Sequence, residues 1–366
     1  MARTARAVLA AALLAGAFGN GAAAQDQSFK RLSTIAVPGE PLAAFDISFV
    51  DPTTETYYLA DRSNKGVDMI DARTNKFIGR IGGFVGPSTK NDTAGPNGII
   101  VIAKLHQLWA GDGDSTVKIV DLKAKPPKIV ATIATGGKAR VDEVAYDDKD
   151  GIVLFVNDAD DPPFMTLIST KPDHAILAQI KMEEATDGLE QPVWDAARGR
   201  FYLSVPQLNK KEEDGGIALI DPKAKKITGL YPVSKCTPAG LALGPKDQLL
   251  AGCSEDAIEH GFPPQTLVLA AKTGAVVATL TEIGGSDQVW YNPHDGRYYL
   301  AARGMPGGPV LGVVDAKANK WLVNLPTAKN AHSVAANPHN DHVFVPLTPN
   351  PDCPKGCVAV YGMAKG

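Results

Sequence analysis

DISFVDPTTETYYLADRSNKGVDMIDARTNKFIGRI, residues 46–81, decides the fold of this 366-residue chain. It contains four short runs of apolar and β-branched residues, separated by turns rich in Gly, Asn, Asp and Pro. Runs of this length with such boundaries are typical of strands and hairpins, not of helices. The stretch therefore predicts one antiparallel unit of four strands, which we name A to D.

The same unit recurs seven times along the chain, with aligned positions of successive copies 45 to 51 residues apart. Each copy opens with a polar or small pair, an apolar run and a turn. The opening segments are DISFVDP (46–52), NGIIVIAK (97–104), VDEVAYD (141–147), EQPVWD (190–195), PAGLALGP (238–245), DQVWYNP (287–293) and HSVAANP (332–338). Repeats of this length that are built from short strands are typical of a closed ring of small sheets. The sequence predicts an all-β, seven-bladed β-propeller with four strands per blade.

The two ends of the repeat predict how the ring closes. The last copy runs out after a third strand, CVAVYGM (357–363), whereas FKRLSTIAV (29–37) has the character of a D strand and precedes the first A strand. We expect this N-terminal strand to complete the last blade, which leaves no open sheet edge. Because each blade buries its faces only against its neighbours, residues 25–366 should form a single propeller domain.

Residues 1–24 lie outside the repeat and match a secretory signal peptide. Arg3 and Arg6 provide a basic region, an apolar stretch follows, and Ala22-Ala23-Ala24 forms a small-residue cleavage site. No later apolar run has the length needed to cross a bilayer. We therefore expect a periplasmic or secreted protein without a membrane span, and we expect it to be a monomer.

The net charge limits the classes of binding partner, and the cysteine content predicts disulfides. The formal net charge is -3, and cleavage of the signal would change it to -5, because the signal contains two arginines and no acidic residue. A mildly acidic chain with scattered lysines binds a phosphate backbone poorly, so nucleic acid is not expected as a partner. In an oxidising compartment, the four cysteines predict two local disulfides, Cys236–Cys253 and Cys353–Cys357.

Aligning the seven A strands places polar side chains at one address, the start of each strand at the mouth of the central channel. The aligned residues are Asp46, Asn97, Asp142, Glu190, Ala239, Asp287 and His332. The next position holds Ile47, Gly98, Glu143, Gln191, Gly240, Gln288 and Ser333. Beyond it the strands turn apolar, and Trp194, Trp290 and Tyr291 near their ends are predicted to be wedges between blades. We expect a channel with one polar mouth and an apolar throat.

Polar residues at strand starts also have a purely structural explanation, because Asp and Asn accept backbone hydrogen bonds in turns. Against it, four carboxylates around one narrow opening would repel each other by roughly 2 kcal/mol per pair at about 8 Å and an effective dielectric of about 20. Three solutions stay open: some carboxyls are protonated, lysine and arginine enter, or a cation is bound. Oxygen ligands favour Ca²⁺ or Mg²⁺ as that cation.

The loops between B and C strands give a second indication. In the last four blades they are longer and richer in Gly and Pro than in the first three, and they open on the face of the polar mouth. Loops carried by a rigid scaffold above a concave polar site are a usual place for recognition. We expect the partner to be a small-molecule ligand or a periplasmic protein. His260 and Arg303 lie in these loops, either as ligand contacts or as exposed bystanders.

The stretch YYLADRSNKGVDMIDARTNKFIGRI (57–81) resembles the repeat of the YVTN family of seven-bladed propellers, with Tyr58-Leu59-Ala60-Asp61 in the place of the name-giving tetrapeptide. The resemblance covers essentially the whole mature chain and implies the fold. The family groups binding proteins, surface proteins and lactonase-like enzymes. GPNGI (95–99) is also similar to a segment of gluconolactonase-like and strictosidine-synthase-like propellers, which implies a metal contact for Asn97.

Two classes of function fit these residues. The first is a metal-dependent hydrolase or lactonase-type enzyme, or a lyase on the same site, in which a divalent ion polarises a carbonyl and activates water. The ion would be held by Asp46, Asn97, Glu190 and Asp287. His332 or Glu143 would act as the general base. The second is a non-catalytic binding or scaffold propeller, whose mouth and loops capture a ligand or a partner protein without turnover.

Overall fold

The computed structural model describes residues 28–364, and within this range the chain is almost entirely β-structure. Seven antiparallel sheets of four strands each form the blades. The predicted all-β, seven-bladed fold is therefore confirmed. The predicted signal peptide, residues 1–24, lies outside the described residues.

The strands follow the predicted order, with β1 (Phe29–Ala36) ahead of the first blade. The first three blades contain β2 (Ser48–Asp51), β3 (Thr56–Asp61), β4 (Gly66–Asp71) and β5 (Lys76–Gly82); β6 (Ile99–Ile102), β7 (Gln107–Gly111), β8 (Thr116–Asp121) and β9 (Lys128–Ala134); β10 (Val144–Asp147), β11 (Ile152–Asn157), β12 (Phe164–Ser169) and β13 (Ile176–Lys181). The fourth and fifth contain β14 (Pro192–Asp195), β15 (Arg200–Val205), β16 (Asp214–Asp221) and β17 (Lys226–Ser234); β18 (Pro238–Gly244), β19 (Gln248–Cys253), β20 (Thr266–Ala270) and β21 (Val276–Leu280). The last two contain β22 (Val289–Asn292), β23 (Arg297–Ala302), β24 (Val310–Asp315) and β25 (Lys320–Pro326); β26 (Ala335–Ala336), β27 (Val343–Leu347) and β28 (Cys357–Met363).

Helical structure in the described residues is limited to short pieces in the connections. One α-helix, α1 (Glu255–Glu259), lies between β19 and β20. Single 3₁₀ turns occupy Asn91–Thr93, Ala103–Leu105 and Pro245–Asp247. The first of these turns and α1 lie next to the site described below.

The ring closes as the sequence predicts. β1 pairs antiparallel with β28, from Phe29 opposite Met363 to Ala36 opposite Cys357, and so provides the outer strand of the last blade. Because the two ends of the described chain share one sheet, the last blade has the same four strands as the other six. This closure holds the seven A strands around a common channel.

The hydrophobic core lies between blades, and strand alternation decides which neighbour each side chain meets. In β3, Tyr57 and Leu59 pack with Phe344 of the last blade, whereas the intervening Tyr58 packs with Leu108 of the second blade. Tyr57 and Leu59 have no solvent exposure. Burying a large apolar side chain stabilises a fold by roughly 1.5 to 3 kcal/mol. Each blade therefore joins both of its neighbours, and the ring is a rigid support for the channel.

Both predicted disulfides are present. Cys236 pairs with Cys253 at the top of the fifth blade, and Cys353 pairs with Cys357 in the loop before β28. Two disulfides are consistent with an oxidising compartment. No helix among residues 28–364 has both the length and the apolar character needed to cross a bilayer.

Candidate functional site

The starts of the A strands surround a cavity of about 310 Å³, which we call the upper cavity. Its charged and polar wall residues are Asp46, Arg62, Asn91, Arg140, Asp142, Glu143, Glu190, Asp287, Arg303, Asn330 and His332. The structure thus brings together all of the predicted site residues except Asn97, which is fully buried behind the wall. Asp142 and Glu143, from the two aligned positions at the start of the third A strand, both line the cavity.

Arg62 is the partner of two predicted metal ligands. It directly follows β3, and its Nη2 donates to Asp46 Oδ2 at 2.5 Å. Its Nε and Nη2 donate to Asn97 Oδ1 at 2.9 and 2.7 Å, and the Asn97 amide donates to the Val141 carbonyl at 2.9 Å. Burial would raise the pKa of Asp46, but Arg62, followed by His332, holds it well below its usual range. Asp46 is an ionised carboxylate that already has its cation.

Arg140 has the same role in the third blade. Its Nη2 lies 2.6 Å from Asp142 Oδ2 and 2.6 Å from Asp158 Oδ2, so one guanidinium serves two carboxyls. Burial raises the pKa of Asp142, and Arg140 opposes that rise. The side-chain hydrogen bonds of this guanidinium go to Asp158, from Nε at 3.2 Å and from Nη2 at 2.6 Å, and they fix it beside Asp142.

Arg303 completes the set from the sixth blade. Its Nη1 lies 3.2 Å from Asp287 Oδ2, and its Nε lies 2.6 Å from Glu255 Oε1. Ser254 caps α1 by accepting a hydrogen bond from the Asp256 amide, which places Glu255 beside this arginine. Of the three solutions to carboxylate repulsion, the entry of arginine applies to Asp46, Asp142 and Asp287.

His332 is held on both sides of its ring. It stacks on Phe45 with centroids 4.9 Å apart and planes 9° from parallel. Its Nδ1 lies 2.8 Å from the Asn330 carbonyl oxygen, and its Nε2 lies 3.4 Å from Asp46 Oδ1. Both nitrogens face acceptors, so the orientation of the ring is fixed on both edges. Action as a general base, which stays a prediction, would require Nε2 to leave Asp46.

Glu143 and Glu190 differ from the other carboxyls of the wall. Neither receives a side-chain hydrogen bond or an ion pair from any described residue. Burial raises the pKa of both well above the usual range, and neighbouring carboxyls raise it further, Asp142 most for Glu143 and Asp287 most for Glu190. Two acidic groups therefore face the cavity without an ion pair. Arg140 and Arg303 act on Glu190 only at a distance, because both arginines are paired with other carboxyls.

The arrangement does not fit the predicted calcium or magnesium cage. Within residues 28–364, no three His, Cys, Asp or Glu side chains are placed to hold one ion. Of the predicted ligands, Asp46, Asn97 and Asp287 have guanidinium partners, and among the described residues Glu190 has none. Ca²⁺ takes six to eight oxygen ligands. A metal at this site stays a prediction that requires the arginines to move.

Sequence reasoning missed Arg62 and Arg140, although one signal pointed to the first of them. YYLADR (57–62) and YYLAAR (298–303) end on an arginine at the same address, directly after the B strand. In the structure both arginines reach inward to an A-strand carboxylate. Arg140 has no such echo, because it precedes its A strand and reaches Asp142 only two residues away.

A wider vestibule lies above the upper cavity. It has a volume of about 540 Å³, and its wall contains Glu255, Lys329 and Thr348. It shares Arg303 and Asn330 with the upper cavity, so the two spaces are continuous along those residues. A ligand that enters over the long loops would pass Arg303 before it reached Glu190.

The channel opens at its other end into a second cavity, of about 320 Å³, which we call the lower funnel. Its wall is largely apolar and includes Tyr146, Trp194, Trp290 and Tyr291. Three of these aromatic residues were predicted to be wedges between blades. They are half-buried: each packs against a hydrophobic cluster between blades and also lines the lower funnel.

Comparison with known proteins supports the fold. No family model and no curated sequence matches the chain. Among solved structures, a chain of Kuenenia stuttgartiensis hydrazine synthase is similar with a TM-score of 0.66 and 13% identity, over 84% of this chain and 93% of that one. A chain of the mitotic checkpoint complex is similar with a TM-score of 0.67 and 13% identity, over 100% and 98%. At this identity the likeness shows the propeller fold alone, and the resemblance to the YVTN family is supported only to that extent.

Proposed function

We propose that this protein is an exported propeller that binds a small, hydrophilic organic molecule carrying a positive charge in the upper cavity. One observation carries the proposal. The wall contains five carboxyl and three guanidinium groups, and the two carboxyls in excess are Glu143 and Glu190, which have no partner. A buried carboxylate without a cation is costly. An ammonium or guanidinium group of a ligand would supply the missing charge.

The size and rigidity of the site suit such a ligand. A cavity of about 310 Å³ beneath a vestibule of about 540 Å³ lies in the range of small-molecule sites. The three arginines are fixed by their ion pairs, so the wall is formed before a ligand arrives, which lowers the entropic cost of binding. Asn91 and Asn330 offer amide groups to ligand hydroxyls. The periplasm is the proposed location, on the strength of the signal-like leader and the two disulfides.

The test is calorimetric titration of the purified protein with ethanolamine, choline and agmatine, each beside a neutral diol of matched length. We expect at least one cation to bind and its matched diol not to bind. Glu190→Gln should weaken that binding by about tenfold or more, since it removes a charge-assisted contact. Glu259→Gln, an exposed site on α1, is the control. Binding that ignores Glu190→Gln, or no binding by any cation at millimolar concentration, overturns the proposal.

The alternative function is a hydrolase, lactonase or lyase at the same site. The raised pKa of Glu143 favours it, because buried carboxyls with raised pKa values are frequent among general acids and bases. The test is metal analysis by mass spectrometry together with turnover of a panel of lactones and esters. A stoichiometric divalent ion, with turnover that chelation and Glu143→Gln both abolish, would support this alternative. A metal-free protein without turnover would exclude the metal-dependent form.

A further inference from the structure

The lower funnel has the wall of a ligand site and not that of a water channel. Phe49 and Trp290 meet edge to face with centroids 5.6 Å apart, and Tyr146, Trp194 and Tyr291 complete an aromatic rim. All five side chains are half-buried, so part of each ring faces the open space. An apolar cavity of about 320 Å³ with several accessible aromatic faces is suited to an apolar molecule.

Two glutamines separate the lower funnel from the upper cavity. Gln191 Oε1 accepts from the Leu241 and Val289 amides at 3.0 and 3.2 Å, and its Nε2 donates to the Val289 carbonyl at 3.2 Å. Gln288 Oε1 accepts from the Ser48 and Val334 amides at 3.2 and 2.9 Å, and its Nε2 donates to the Ser48 carbonyl at 2.8 Å. These carboxamides join A strands of different blades. Their polar atoms are engaged by backbone, so neither glutamine is free to bind a ligand.

Glu143 is the exception at this level. It lines both the lower funnel and the upper cavity. The residue has a relative exposure of 4%, and no described residue makes a side-chain hydrogen bond or an ion pair with it. At the inner end of the funnel there is therefore a carboxyl group whose partner is missing, at the base of an aromatic wall.

We infer that the lower funnel is a second binding site, which takes an organic ammonium ion with an apolar body, its charged end at Glu143 and its body among Trp194, Trp290 and Tyr291. The carboxylate supplies an ion pair, and the aromatic faces attract a cation electrostatically while they bury apolar surface. An anion would meet Glu143 with no compensating charge. A metal ion would find a single carboxylate, which is too few ligands. This site lies at the opposite mouth from the proposed upper site. The two sites share Glu143, whereas Trp290 lines the lower funnel and Glu190 lines the upper cavity.

The first test is binding of 2-phenylethylammonium, followed by tryptophan fluorescence and calorimetry. Two of the four tryptophans, Trp194 and Trp290, line the funnel, so an occupant should change the emission. We expect 2-phenylethanol, which has the same body without the charge, to bind about tenfold more weakly or worse. Equal affinity for the amine and the alcohol would overturn the proposal, and so would no binding of the amine.

Two variants locate the site. Glu143→Gln keeps the shape of the side chain and should abolish the preference for the amine over the alcohol. Trp290→Leu should weaken both compounds, because it removes aromatic and apolar contact that both share. If Glu143→Gln fails to fold, the Trp290→Leu result still decides the matter, since an unchanged amine affinity in that variant contradicts the location.

Glu190→Gln is the matched control, because this residue lines only the upper cavity. It should leave 2-phenylethylammonium affinity within about twofold, although it weakens the hydrophilic cations of the proposed upper site. The two proposals therefore fail separately. The affinity of Glu190→Gln for hydrophilic cations such as agmatine tests the upper cavity. The preference of Glu143→Gln for the amine over the alcohol, together with the affinity of Trp290→Leu for both compounds, tests the funnel. If Glu190→Gln abolished the binding of 2-phenylethylammonium, this compound would bind in the upper cavity, and the inference would be overturned.

Discussion

The upper cavity and the lower funnel are formed by the same A strands but differ in the charged side chains of their walls. At the upper mouth, three arginines enter from neighbouring positions and neutralise carboxyls that would otherwise repel. At the lower mouth, aromatic and aliphatic side chains line the wall, and the one carboxyl at its base has no partner. Depth along a strand therefore decides the character of the channel wall in this ring. The first residues of the A strands form a charged, polar wall, and the last residues form an apolar, aromatic one.

The largest effect is expected when an arginine is removed from the upper cavity. Arg62→Ala leaves Asp46 and Asn97 buried without their donor, and we expect a loss of about 3 to 5 kcal/mol in the free energy of unfolding, as for other buried pairs that lose one member. Urea denaturation measures the loss. Arg73→Ala is the control, because the Arg73–Asp71 pair lies at the surface, where solvent screens it, and should contribute little to stability. Equal effects of the two substitutions would mean that the upper network is not structural.

The second prediction concerns Gln288, which lies between the upper cavity and the lower funnel. Gln288→Leu removes an amide that makes three hydrogen bonds to the backbone of the first and last blades. Because these backbone groups would be left unpaired in the interior, we expect a cost of about 2 kcal/mol. Gln265→Leu, which loses one exposed bond to the Lys235 carbonyl, should cost well under half as much. A fall in the melting temperature that is the same for both would show that Gln288 does not hold the blades together.

A smaller and pH-dependent effect separates the unpaired carboxyls from the paired ones. Glu190 has a raised pKa in the folded protein, so between its unfolded value near 4.5 and that higher value the folded state binds more protons. Wild-type stability should therefore fall as pH rises through this window. Glu190→Gln removes the dependence and should raise the melting temperature by a few degrees at pH 8 with little change at pH 4.

Asp46 gives the opposite sign and serves as the comparison. Burial raises its pKa, but Arg62, His332 and Arg140 together outweigh burial and lower the pKa on folding. Asp46 therefore contributes stability that is present above an unfolded value near 3.8 and is lost as pH falls further. Asp46→Asn should lower the melting temperature at pH 8. If Glu190→Gln and Asp46→Asn shifted stability in the same direction at pH 8, the distinction between unpaired and paired carboxyls would be wrong.

The sequence was sufficient for the fold because local patterns repeat. Seven openings such as DISFVDP and the missing fourth strand of the last blade predicted the ring, its closure by β1 and the strand count. The disulfides followed from two local cysteine pairs. In each case the deciding contacts lie between neighbouring strands, and pairing of neighbouring strands has a fixed period.

The site was predicted only in part, since its contacts cross blades. The repeat gathered Asp46, Glu190 and Asp287 at one mouth, but it carries no information on how far an arginine side chain reaches. Arg62 starts at the end of a B strand and extends to Asn97 of the next blade. Gln288 was seen as one more polar residue, yet it bonds to Ser48 across the ring. Long side chains that bridge repeats have no period, so alignment of the repeats does not reveal them.

Binding of a cationic ligand at Glu190 in the upper cavity is tested most directly by a crystal structure of the purified protein in complex with agmatine. We expect agmatine in the upper cavity, with a cationic group within hydrogen-bond distance of Glu190 and with the Arg62–Asp46 and Arg303–Asp287 pairs intact. A metal ion coordinated by Asp46, Asn97, Glu190 and Asp287, with the arginines displaced, would contradict it.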